Sequence, residues 1–170
     1  MFFKQKKDLL ALSIAGVYFG WKVLLYSLGK QHEILANFPI LPLIIALGAG
    51  IIFTVIPIQT TAETGQQGFD LIRGFKAGAR LSLITALFTA VFSFVYYKFI
   101  DPTFFEMQIA LSQQQIINMG GVPKTDQELE PLRKLFNPVN WSALTISGIS
   151  FLGMVLSLTI SALYKVFISK

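Results

Sequence analysis

The chain has 170 residues, of which 54% are hydrophobic and 14% charged, with a formal net charge of +5 at pH 7. Soluble domains carry about 25% charged residues, so this composition, with a mean hydropathy of +0.62, excludes an ordinary water-soluble globule. There is no cysteine, which excludes a disulfide framework, a thiol nucleophile and a thiolate metal site.

The first apolar run is Leu9–Leu28. It follows a basic start, Lys4, Lys6 and Lys7, but continues past the small residues Ser13, Ala15 and Gly16. Its length, near 20 residues, suits a retained membrane helix better than a cleaved signal peptide. Lys22 lies inside it, about 9 Å short of the end at Leu28 for a rise of 1.5 Å per residue. Two readings fit. The long stem of Lys22 can snorkel to the headgroups, beside Trp21 and Tyr26. Alternatively Lys22 faces inward and holds an anion, such as a lipid phosphate or the Asp101 carboxylate, because a charge at depth tends to be paired or useful.

A short turn, residues 29–38, leads to the second run, Pro39–Ile58. Pro39 and Pro42 fit its first turn, and Pro57 bends or ends its last. The connection from Gln59 to Arg80 opens with "QTTAETGQQG" and becomes helical in "FDLIRGFKAGAR". Phe69, Ile72 and Phe75 recur at helical spacing, with Arg73, Lys76 and Arg80 mainly elsewhere. These three basic residues, as an amphipathic lead-in, suit an anionic inner leaflet. The third run, Leu81–Ile100, is expected to grow from this lead-in without a break.

Residues 101–141 form the one sizeable segment between runs. Asp101 and Pro102 read as a helix start and Gly120-Gly121 as its end. Phe105, Ile109, Ile116 and Met119 share one face, with Ser112 between them. Asp101 and Glu106 do not share a face and read as a cap and a solvated side chain. "TDQE" at 125–128 fits a capping box. Pro131 argues against a long helix there and offers a second start. Asn137-Pro138 turns the chain and Trp141 marks a membrane interface. The fourth run is Ser142–Tyr164.

The fold class is therefore all-α: one four-span membrane bundle, residues 1–170, with a short helical segment outside. Basic residues set its orientation. Lys4, Lys6, Lys7, Arg73, Lys76, Arg80, Lys165 and Lys170 fall on one side, against Lys30, Lys98, Lys124, Arg133 and Lys134 on the other. Both termini are expected in the cytoplasm. Small residues recur every fourth position: Gly16 and Gly20, Ala46 and Gly50, Ser82, Ala86 and Ala90, and Gly153, Ser157 and Ser161. Such stripes let helix backbones approach closely in lipid.

Catalytic signatures are missing. "HEILA" at 32–36 begins like a zinc-protease helix, but Ala36 stands where the second ligand should be. His32 is the sole histidine, which excludes a histidine-based zinc cluster and leaves no convincing Ser-His-acid set. Gly74 and Gly78 have helix-packing spacing, not that of a phosphate loop. No catalytic residue, metal, cofactor or nucleic-acid partner is expected.

The layout "GFKAGARLSLI…VYYKFIDPTFFE", followed by an acidic segment and a last run ending in "ALYKVF", resembles an uncharacterised bacterial family of small four-span membrane proteins. The resemblance covers essentially the whole chain. It brings no catalytic residues. It implies the bacterial inner membrane and, through neighbouring genes for glycosyltransferases acting on polyprenyl phosphates, an envelope role. The leading expectation is a non-enzymatic membrane subunit that scaffolds or positions a partner, such as a lipid-linked glycosyltransferase. The partners expected are the bilayer and a second protein or a second copy. The alternative is a small transporter or lipid-handling protein with Lys22 in an anion or lipid-phosphate site.

Overall fold

The structure is a computed structural model that describes residues 2–30, 40–63 and 71–167. All its regular elements are helical: α1 Phe2–Ser27, α2 Ile40–Glu63, α3 Leu71–Val95, a π-helical turn Tyr96–Ile100, α4 Phe104–Asn118, α5 Asp126–Leu135 and α6 Pro138–Phe167. Among the described residues, three stretches are long and apolar enough to cross a membrane: Asp8–Ser27, Leu71–Ile100 and Pro138–Tyr164. In α2 the apolar part is shorter, Leu41–Ile56. "HEILA" with His32, Pro39 and Phe69 lie outside the described residues.

The third run does grow out of its basic lead-in as one continuous helix. Pro57 does not end its helix, since α2 continues through it to Glu63. Pro131 does not start a helix but lies inside the ten-residue α5. One proline removes one backbone N–H bond, and a helix tolerates that loss where the rest of the ladder stays intact. The capping box forms as expected, with the Thr125 amide donating to Glu128 at 2.7 Å. At the end of α4, Gly120 takes φ 78°. The amides of Gly120 and Gly121 then reach the carbonyls of Ile117 and Ile116, both at 2.9 Å.

α3 sits at the centre, against α1, α2 and α6. Its contact with α6 is antiparallel and built from small residues. A Cβ on Gly78 would fall onto Ser157, and one on Gly153 would fall onto Ser82. Glycine is required at both positions because the backbones meet there. The two hydroxyls bond their own helices, Ser82 to the Gly78 carbonyl at 2.8 Å and Ser157 to the Gly153 carbonyl at 2.6 Å. Gly50 serves the α2 contact, with Ile14 2.6 Å from the position of a Cβ. Around these contacts Ile14, Leu43, Leu47, Ile51, Val55, Leu81 and Ile149 form the core. Leu83, Leu87 and Val91 of α3 and Phe151, Val155 and Leu158 of α6 stay exposed. Apolar faces of this extent are stable against hydrocarbon rather than water.

Candidate functional site

The site forms at one end of the bundle, where α1, the π-turn, α4 and the start of α6 meet. A second apolar cluster gathers there. Tyr96, Tyr97 and Phe105 are buried, with Phe19, Val23, Phe104, Phe136 and Trp141 packed against them. Trp141 therefore packs inward, its ring 5.9 Å from Phe105 and 6.5 Å from Tyr97.

Lys22 lies inside this cluster, 5% exposed. It does not snorkel. Its amine donates to the Tyr97 hydroxyl. It also stands 3.9 Å from the Tyr97 ring centre, 4.5 Å from Tyr96, 5.4 Å from Phe104 and 5.6 Å from Tyr18. Electron-rich ring faces attract a cation, most strongly when water is excluded. Asp101 adds opposite charge within electrostatic reach of Lys22. The reading of Asp101 as a helix cap is thus corrected. Thr103 is the N-cap of α4, and Asp101 is buried, with Oδ1 accepting from the Thr103 hydroxyl at 3.2 Å. Burial wins here because the carboxylate has a cation to face. Glu106 is exposed and pairs with Arg133 at 3.3 Å.

The π-turn explains why two adjacent tyrosines both point inward. Four residues in an α-helix overshoot a full turn by about 40°, so a four-residue row drifts around the helix. A π-turn is wider and swings the row back. The Asp101 amide closes it on the Tyr96 carbonyl at 2.9 Å. One buried polar row results: Thr85, Thr89, Ser93, Tyr97 and Asp101.

Beside Lys22 lies a cavity of about 670 Å³. Its deep wall is Tyr18, Leu43, Tyr97 and Ile149, and Leu129, Leu132 and Phe136 roof it. Gln108, Ser112 and Gln113 of α4, Lys124 after it and Thr145 of α6 are its polar lining. Lys22 stands behind that wall, held by Tyr18 and Tyr97. Two ties hold the roof. Gln113 and the backbone of Lys124 exchange hydrogen bonds at 2.8 and 3.0 Å, and Arg133 links α5 to Glu106 of α4. Ile109 and Ile116, expected on one apolar face, line the cavity with Ser112, while Met119 is exposed.

Arg73, Lys76 and Arg80 are exposed near the other end of α3. Arg73 is about 36 Å from Tyr97 along the helix, at 1.5 Å per residue, so these residues and Lys22 form no common site. Of the small-residue stripes, Ser82, Ala86, Ala90, Gly153, Ser157 and Ser161 are buried. Gly16 and Gly20 differ. A Cβ on either meets nothing within 4 Å, so they make no close helix contact among the described residues. The inward face of α1 is instead Ala11, Ile14, Ala15, Tyr18, Lys22 and Leu25. Sequence reasoning missed the row from Thr85 to Asp101. Its signal was the four-residue spacing already noted for Ser82, Ala86 and Ala90, moved by three positions.

Long apolar helices, outward apolar faces and a buried cation among aromatic rings define a helical protein of membrane-spanning character. Residues 10–166 match the family model described as "Protein of unknown function (DUF4199)", and the chain belongs to that family. No curated protein and no solved structure matches it.

Proposed function

We propose that the protein is a lipid-handling membrane protein that holds one amphiphile in the cavity beneath α4 and α5. The carrying observation is the cavity itself. At about 670 Å³ it falls within the 300–1,000 Å³ usual for ligand sites. Its walls are mainly apolar and aromatic, with most polar groups contributed by α4 and Lys124, a lining that suits an acyl tail with a polar headgroup. In this reading α2, with 24 helical residues, is the fourth span. Both termini are cytoplasmic in a bacterial inner membrane, and α4 and α5 lie outside at headgroup level. Lys124, Gln108 and Gln113 face the headgroup. The experiment is native mass spectrometry of protein extracted in mild detergent. One retained lipid per chain supports the reading. It fails if the chain emerges bare under conditions that preserve its fold.

A second reading, a scaffold for a membrane partner such as a lipid-linked glycosyltransferase, is favoured by Gly16 and Gly20. They leave open space on α1 where another helix could approach closely.

A further inference from the structure

We infer that α3 carries a file of bound water running from the Lys22–Asp101 pair into the middle of the bundle. The row Thr85, Thr89 and Ser93 is 0–1% exposed. The hydroxyls of Thr85 and Thr89 have no hydrogen-bond partner among the described residues, and that of Ser93 faces only the Tyr18 hydroxyl. The Ser150 hydroxyl of α6 has none either, and at one end of the row the Asp101 carboxylate meets the Tyr96 and Thr103 hydroxyls. The register that sets Gly78 against Ser157 and Ser82 against Gly153 places Ser150 level with Thr85.

Buried hydroxyls seldom stay unpaired, and those without a protein partner are characteristically held by internal water making two to four bonds. Ser161, beyond the Gly78–Ser157 contact, is also buried and unpartnered but lies outside the file, whereas three other buried hydroxyls show the alternative. Ser82, Ser157 and Thr54 each donate to the carbonyl four residues back. Thr85, Thr89 and Ser93 do not take that option, although the same helix offers it.

The file has one closed end. Beyond Thr85, the contacts at Gly78–Ser157 and Ser82–Gly153 leave no room even for a Cβ. It opens toward Tyr97 and Asp101, and Tyr97 also borders the cavity. Water, and protons with it, would thus reach the bundle middle from the cavity end alone. Tyr18, Tyr96, Tyr97, Lys22 and Asp101 are the titratable groups that face this path. This water site does not depend on whether the cavity holds lipid.

The experiment is water-to-protein magnetisation transfer by solid-state NMR on the full chain in lipid bilayers. Thr85, Thr89 and Ser93 are expected to build up water signal several-fold faster than the lipid-facing Leu83, Leu87 and Val91 of the same helix. Thr89→Val keeps the shape and removes the hydroxyl, and it should abolish most of the transfer at Thr85. Equal build-up on the two faces of α3 would overturn the proposal. So would unchanged transfer at Thr85 in Thr89→Val, because the file would then not be continuous.

Discussion

The Lys22 amine and the Tyr97 hydroxyl are joined across 75 residues of sequence. That bond ties α1 to the π-turn and fixes the wall between the buried cation and the cavity. Its loss removes one partner of the buried Tyr97 hydroxyl and the opposite charge that faces Asp101.

Lys22→Met is therefore expected to destabilise the protein by about 1–3 kcal/mol. Thermal unfolding in detergent checks this. Lys22→Arg should also lose stability, because a planar guanidinium does not fit among four rings arranged around an ammonium. A parent-like melting curve for Lys22→Met would contradict the pairing.

The glycines divide into two groups with opposite expected behaviour. Gly153→Leu drives bulk into Ser82 and should cost about 1–3 kcal/mol or more, the usual range for overpacking. Gly20→Leu meets open space and should leave unfolding unchanged. Size-exclusion elution of Gly20→Leu then tests the scaffold reading. A shift to smaller size supports a partner on that face of α1, and an unchanged profile counts against it.

Gly148 lines the cavity, and a Cβ there meets nothing within 4 Å. Gly148→Leu should accordingly fill space without strain. Stability is expected to hold within about 0.5–1 kcal/mol, the helix propensity of leucine over glycine adding slightly. Native mass spectrometry should show the retained lipid diminished.

Outside the spans, the Thr125 amide and hydroxyl hold the Glu128 carboxyl below its ordinary value of 4.5. A depressed folded-state value means the contact stabilises α5 above the ordinary carboxylate range and is lost as pH falls through the lower, folded value. The Thr125 amide resonance is expected to titrate with a midpoint below 4.5 and to stop titrating in Glu128→Gln. A midpoint at or above 4.5 would show that the capping box does not form.

Much of the fold was legible because lipid exposure and helix length leave strong marks. Apolar runs, the Thr125–Glu128 box, the Asn137-Pro138 turn and the stripes of α3 and α6 are all local patterns. The site was less legible because it depends on tertiary placement. Spacing marks Lys22 as unusual, but whether it snorkels or turns inward depends on Tyr96, Tyr97 and Phe104, which are distant in sequence. Asp101 beside Pro102 has every local sign of a cap, and only the buried cation across the bundle overrides it. The π-turn has no reliable sequence signal, yet it brings the two tyrosines inward together.

The most direct test of the central claim is photo-crosslinking in native membranes with a fatty acid carrying a diazirine in its tail, followed by peptide mapping. The account expects adducts concentrated on cavity residues, above all Phe136, Trp141, Leu144 and Ile149, and strongly reduced in Gly148→Leu. Adducts confined to the outward faces of α3 and α6, at Leu87, Val91, Phe151 and Leu158, and unaffected by Gly148→Leu, would contradict it.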